Sequence, residues 1–274
     1  MLDFYQNLPE KINPVIFSVD FFSVYWYSLM YLIGFITVAG LLYWRIYRKE
    51  TNFSWDDIFD FLINSFLAII IGARFGYVLF YNLNYFLVNP LEIIWPFNPS
   101  GEFTGIYGMS YHGAAVGFIL ATYFFCKKRK ISFLKLTDFI LPAIPAGYFF
   151  GRIGNFLNGE LYGRVTTSQW GMNFGDGFLR YPSQLYEAFF EGIVLFIILW
   201  LVRNKFSKKE GFISGLYLSG YGVFRFAIEF LREPDAQLGI FFNYLTMGQM
   251  LSLIMIGGGI YLINKNKSNR ASSS

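Results

Sequence analysis

Long uncharged apolar runs constrain this chain more than any other feature. A run of about 20 such residues is unstable in water, and as a helix it spans the ~30 Å hydrocarbon core of a bilayer with every backbone polar group satisfied internally. Seven stretches qualify, at roughly 22–44, 58–81, 111–126, 139–158, 185–202, 211–231 and 244–263. Only 15% of the 274 residues are charged and 55% are hydrophobic, with 34 Phe and 20 Tyr. A soluble domain carries about 25% charge, so an ordinary soluble or disordered chain is excluded. The expected fold class is all-α, a polytopic membrane bundle of seven transmembrane helices. Pro142, Pro145, Gly147, Gly151 and Gly154 fall inside the fourth stretch and read as close helix packing or a broken helix. The single cysteine, Cys126, excludes an intrachain disulfide and paired-cysteine zinc sites. Nothing in the composition points to nucleic acid.

Basic residues set the orientation. The connections after the first, third and fifth stretches, together with the tail, carry Arg45, Arg48 and Lys49, then Lys127, Lys128, Arg129, Lys130 and Lys135, then Arg203, Lys205, Lys208 and Lys209, then Lys265, Lys267 and Arg270. The opposite side has Lys11, Arg164, Arg180 and Arg232. The amino terminus is therefore expected outside and the carboxyl terminus in the cytoplasm, with Ser100 outside and Ser207 inside. Residues 1–20 lack the positive leader of a secretory signal, so the first helix is expected to remain in the mature protein. Residues 1–264 read as one integral membrane domain with a long outside connection at about 82–110. That connection lacks Lys and Arg and carries the run Trp95-Pro-Phe-Asn-Pro99. Residues 265–274 read as a disordered cytoplasmic tail.

Three arginines remain: Arg74, Arg152 and Arg225 lie within the apolar stretches. A charge at the bilayer centre costs from ~2.5 to over ~10 kcal/mol, so such residues face a polar cavity or a counter-charge. His112, Tyr27, Asn155, Asn158, Glu160, Glu187, Glu191 and Glu229 reach the same outer depth. One reading is structural: Arg225 and Glu229 are i,i+4 neighbours, and Arg74 or Arg152 can pair with Glu187 or Glu191. The other is functional, because clustered guanidinium groups bind phosphate bidentately and outer-leaflet lipids bring phosphate to that depth. A membrane enzyme and a carrier for an anionic lipid both satisfy this pattern. Tyr27 and Tyr221 fit an interface belt as well as a site, and Cys126, beside the basic run, sits on the wrong side to act as a nucleophile.

The run Gly151-Arg-Ile-Gly-Asn-Phe-Leu-Asn-Gly-Glu-Leu-Tyr-Gly-Arg164 resembles the signature of the prolipoprotein diacylglyceryl transferase family. The likeness extends through Asn13–Ser18, Trp26–Tyr31, Gly72–Tyr81, Tyr111–Gly113, Tyr181–Glu187, Tyr221–Arg225 and Phe230–Asp235. It implies a bacterial inner-membrane enzyme, active toward the outer leaflet. Such an enzyme moves the diacylglyceryl group of phosphatidylglycerol onto the lipobox cysteine thiol of a preprolipoprotein, forming a thioether and releasing glycerol 1-phosphate. By resemblance His112 is the candidate base and Arg152 and Arg225 the phosphate contacts. Asn155 and Glu160 position the head group, Tyr27 and Tyr221 line the site, and Arg74 and Glu229 complete it. Phosphatidylglycerol, the lipobox peptide and membrane lipids are the expected partners, with no cofactor and no metal. The sequence departs from the family at Tyr181, where many relatives carry His, and at Ala114, where Gly is usual. A lipid transporter or flippase is the alternative; it lacks support from inverted repeats, and only an enzyme yields thioether product.

Overall fold

The computed structural model describes residues 2–19, 22–97, 108–206, 209–233, 240–241 and 245–271. Ser100, Ser207 and the last three residues of the expected tail lie outside the described residues, as do Pro234 and Asp235 of the family-like run. Two compact units emerge, one of Met1–Glu50 with Thr137–Ser274 and the other of Thr51–Leu136.

In the second unit, α3 (Trp55–Tyr81) begins at Ser54, whose hydroxyl caps the Asp57 amide at 3.1 Å, and Asp56 and Asp57 add favourable charge to its first turn. It packs against α5 (Tyr111–Arg129), itself capped by Ser110 on the Gly113 amide at 3.2 Å. Glycines form the seam: a Cβ on Gly76 would stand 2.7 Å from the Gly113 Cα, so only glycine admits this approach. Phe61 then meets Phe118 and Phe125 edge-on, and Arg129 closes one end on Asp57 and Asp60 at 2.6 and 2.7 Å. Between the two helices run α4 (Leu83–Val88) and a 3-10 turn at Pro90–Ile93.

The first unit opens with a short helix, α1 (Leu2–Gln6), and an antiparallel hairpin of β1 (Val15–Val19) and β2 (Phe22–Tyr25) leading into α2 (Trp26–Tyr47). A broken pair, α6 (Phe133–Ile140) and α7 (Ile144–Leu157), bends by 55°. Pro142 and Pro145 account for the break, since proline removes a helix amide and crowds the preceding turn. The next span, Ser183–Val202, consists of α8 (Ser183–Glu187), a π turn (Ala188–Val194) and α9 (Leu195–Val202). It is followed by α10 (Phe212–Ile228) and α11 (Met247–Ala271). Leu195, Leu199 and Ile213 centre a small apolar core. Asp138 caps α10, accepting from the Gly211 amide at 2.6 Å and the Ser214 amide at 2.7 Å. Glu50 ties Arg45 to Arg203, each at 2.9 Å.

The chain is thus mostly helical. Among the described residues, four helices are long and apolar enough to cross a membrane, α2, α3, Ser183–Val202 and the stretch Met247–Lys265, and the bent α6–α7 pair makes five. Helices also occupy the remaining two expected stretches. Of these, α5 ends in Lys127, Lys128 and Arg129, and α10 has 17 residues.

Candidate active site

Most of the residues singled out from the sequence meet in the first unit, on three neighbouring segments: α7, the span Ser183–Val202, and α10 with its continuation to Arg232. Glu187 is their centre. It is fully buried, with Oε2 2.7 Å from Arg152 Nε, and Oε1 3.4 Å from Arg225 Nη1 and 3.4 Å from Arg232 Nη1. One carboxylate thereby gathers three guanidinium groups. Buried charges persist when paired and hydrogen-bonded, and the arrangement satisfies both conditions.

The network continues on either side. Arg152 Nη1 donates to Asn155 Oδ1 at 3.2 Å, and Asn155 Nδ2 donates to Glu160 Oε1 at 2.9 Å. Arg225 Nη2 pairs with Glu229 Oε2 at 2.6 Å, and the Thr246 hydroxyl donates to Glu229 Oε1 at 2.9 Å. Arg152 also donates through Nε to the Tyr148 hydroxyl at 2.7 Å and lies over that ring, 4.7 Å from its centroid. The hydroxyl donates to Glu191 Oε2 and lies 3.3 Å from Glu187 Oε2. Two arginine nitrogens donate no hydrogen bond to a described residue: Nη2 of Arg152 and Nε of Arg225. Both side chains retain some exposure, 14% each.

Local sequence explains the placement. Gly159 takes a left-handed conformation, φ +66°, just beyond the end of α7. The turn folds Glu160 back, so that its amide donates to the Asn155 carbonyl at 3.1 Å and its side chain meets that of Asn155. Gln184 holds the turn from the next span, donating to the Glu160 carbonyl at 2.6 Å. Gly163 then passes between two backbone segments: its amide donates to the Tyr181 carbonyl at 2.8 Å, and the Arg164 amide donates to the Leu231 carbonyl at 2.9 Å. A Cβ there would stand 2.8 Å from the Tyr181 oxygen and closer still to that of Leu231. This crossing aims Arg232 at Glu187. The π turn starts directly after Glu187 and contains Glu191, and such insertions recur at functional sites.

Tyr221 packs edge-on against Tyr148, ring centroids 5.9 Å apart. The Tyr27 ring packs against that of Tyr31 at a tilt of 43°, and its backbone runs close to Gly154, whose added Cβ would lie 3.4 Å from the Tyr27 Cα. An apolar groove of about 290 Å3, lined by Tyr186, Phe190, Phe224, Ala227, Ile228 and Leu231, adjoins the residues that carry Glu187 and Arg225.

Arg74 and His112 belong to the other unit. Arg74 is buried and donates to the backbone carbonyls of Ile93, Glu92 and Gly108 at 2.7, 2.5 and 3.3 Å, over the Phe86 ring. It holds the connection after α3 in place. His112 is exposed in the first turn of α5, its ring edge-on to Tyr111.

Arg232 and Tyr148 join the site although neither stands out in the sequence. Arg232 has the position of an outside loop charge, although it lies within the family-like run Phe230–Asp235. Tyr148 precedes Arg152 by four residues, the spacing that places two side chains on one helix face.

The sequence profile described as prolipoprotein diacylglyceryl transferase matches residues 14–264. The chain belongs to that family. It is 49% identical over 272 residues to a phosphatidylglycerol–prolipoprotein diacylglyceryl transferase of Chlorobaculum tepidum, covering 96% of this chain and 94% of that one. An enzyme of the same name from Rickettsia bellii is 48% identical over 263 residues, covering 94% and 96%. One from Pseudoalteromonas translucida is 47% identical over 255 residues, covering 92% of each. The chain is accordingly a transferase of the family, and the Gly151–Arg164 run that carries the resemblance supplies Arg152, Asn155 and Glu160 of the network.

Proposed function

We infer that this protein transfers the diacylglyceryl group of phosphatidylglycerol to the lipobox cysteine of a prolipoprotein, with Arg152 and Arg225 as the phosphate clamp. The observation that carries the clamp is the pair of arginines fixed on one buried carboxylate, each with a nitrogen that donates no hydrogen bond to a described residue. The thiolate attacks the carbon of the diacylglycerol moiety that bears the phosphate ester. Its C–O bond breaks, a C–S bond forms, and glycerol 1-phosphate departs. The phosphate gains negative charge as the diester becomes a monoester, so guanidinium groups already in place stabilise the transition state more than the ground state. Asn155 and Glu160 bear on the glycerol head group, and Tyr27, Tyr221 and Glu229 border the site. The adjoining apolar groove suits an acyl chain. Arg74 acts by ordering the connection after α3. His112 takes the thiol proton, a thiol being mostly protonated at neutral pH with a reference pKa of ~8.5.

The charge distribution supports seven spans with the amino terminus outside, a catalytic domain over residues 1–264 and a cytoplasmic tail at 265–274. The enzyme then works at the outer leaflet of the bacterial inner membrane, where phosphatidylglycerol and the exported lipobox peptide meet. The transferase names of the relatives weigh against a lipid carrier. Purified protein, phosphatidylglycerol and a lipobox peptide should yield diacylglyceryl-thioether peptide and free glycerol 1-phosphate in equal amounts. Movement of intact lipid across a vesicle membrane with neither product would overturn the reading.

A further inference from the structure

Glu191 is a buried carboxylate without a cation of its own. It is 1% exposed, forms no ion pair with a described residue, and has one oxygen, Oε1, without a hydrogen-bond partner among them. Its other oxygen accepts from the Tyr148 hydroxyl. A carboxylate in such surroundings is costly to bury, and an apolar side chain would pack there without that cost. The hydroxyl it binds in turn accepts the Nε–H of Arg152 at 2.7 Å, and the guanidinium lies over the same ring. A tyrosine hydroxyl carries one proton. With that proton directed to Glu191, an oxygen lone pair is left to face Arg152, and Glu187 stays available to the three guanidinium groups.

We propose that Tyr148, anchored through its hydroxyl by Glu191, is a positioning residue that sets the orientation of the Arg152 guanidinium. The ring fixes the guanidinium plane and the hydroxyl fixes one edge. Asn155 takes Nη1 at 3.2 Å, and Nη2, which donates no hydrogen bond to a described residue, remains for the phosphate. The π turn has a role here: it places Glu191 and Glu187 on the same hydroxyl, with Gly192 seated so closely on Phe149 that an added Cβ would stand 2.8 Å from the phenylalanine Cβ.

The inference rests on the reading of Arg152 as a phosphate ligand, and the test separates the two. The readouts are turnover of a lipobox peptide and inhibition by glycerol 1-phosphate, which reports the phosphate contact without chemistry. A hydrogen bond to a charged group is worth a factor of about 10 to 100. Tyr148→Phe keeps the ring and is expected to lose about that factor in turnover and to raise the inhibition constant for glycerol 1-phosphate by about tenfold. Glu191→Leu should reproduce both effects, the double variant should lose no more than either single one, and Glu191→Gln, which still accepts from the hydroxyl, should lose less than about threefold. Additive losses in the double variant, or lower turnover with unchanged inhibition by glycerol 1-phosphate, would overturn the positioning role. So would a Tyr148→Phe enzyme of normal turnover. Arg152→Lys is the separate control. If it retains normal turnover and inhibition, the phosphate clamp itself is wrong and this inference falls with it; if it loses both while the tyrosine and glutamate variants do not, only the positioning role fails. Where Glu191→Leu does not accumulate, the Tyr148→Phe and Glu191→Gln pair decides, because only a positioning role predicts a large loss for the first and a small one for the second.

Discussion

Replacing Glu187 by glutamine removes one charge and almost no volume, yet three arginines depend on that charge. Glu187 has no exposure, and its oxygens lie 2.7, 3.4 and 3.4 Å from guanidinium nitrogens of Arg152, Arg225 and Arg232. At an effective dielectric of about 20, a unit pair ~4 Å apart is worth ~4 kcal/mol, so the gross attraction is on the order of 12 kcal/mol. Much of that offsets the desolvation of the carboxylate itself, which the neutral amide escapes. Removing one member of a buried ion pair has a net cost of about 3–5 kcal/mol, because the remaining charges are left uncompensated. Glu187→Gln should therefore lose about that much in reversible unfolding in mixed micelles, read by tryptophan fluorescence. Turnover of a lipobox peptide should drop by about 100-fold or more, since neither Arg152 nor Arg225 is then held for phosphate. A destabilisation under ~1 kcal/mol together with normal turnover would show that the three guanidinium groups do not depend on Glu187, and would refute this account of the network.

Arg152→Lys and Arg225→Lys should each lose most activity at normal protein levels, because a point charge cannot replace a planar fork, whereas Arg74→Lys should be the more tolerant substitution; near-normal turnover of both would sink the clamp. His112→Gln should lose at least ~100-fold in rate while still binding phosphatidylglycerol, with partial recovery as rising pH supplies thiolate; loss of lipid binding, or a deficit unchanged by pH, would move His112 from proton transfer to head-group positioning. Gly163→Ala should abolish activity through displacement of Arg232, since its Cβ has no room between the Tyr181 and Leu231 carbonyls, and an active variant would show that this crossing yields freely. In a Cys126→Ser background, a cysteine at position 100 should label from outside and one at 207 only from the cytoplasm; the reverse would invert the topology. Burial alone would raise the Glu50 carboxyl, but hydrogen bonds from Arg203 and Arg45 more than offset it and hold the group below its ordinary range. Its contribution is thus present at neutral pH and lost as pH falls through that lowered value, so Glu50→Gln should be less stable at pH 7, equal to the parent in strong acid, and normal in specific activity.

The apolar runs made the helices legible, because membrane length and backbone satisfaction leave a helix little alternative. Their ends were less so. Span 139–158 is two helices broken near Pro142 and Pro145, and the π turn after Glu187 depends on packing of Gly192 against Phe149, which no local pattern encodes. Among the arginines, residue type and depth do not distinguish Arg74 from Arg152. Partners do: backbone carbonyls engage one and Glu187 the other. Arg232 was hidden for a different reason, since a basic residue past a helix end looks like a topological charge until the chain crossing at Gly163 turns it inward.

The convergence on Glu187 also bears on how the chain enters the membrane. Each segment carries its own charge into hydrocarbon at a cost of about 2.5–3.5 kcal/mol per group on insertion scales. Ser183–Val202 brings Glu187 and Glu191, and only Arg152 has been synthesised before it; Arg225 arrives later, on a helix of 17 residues. Sequential, independent release of these segments into lipid would leave Glu187 without Arg225 until α10 emerges from the ribosome. The Glu187 network is complete only when α7, Ser183–Val202 and α10 partition together, which favours their insertion as a unit. The ion network thereby makes the chain's biogenesis cooperative across some 80 residues, from Tyr148 to Glu229.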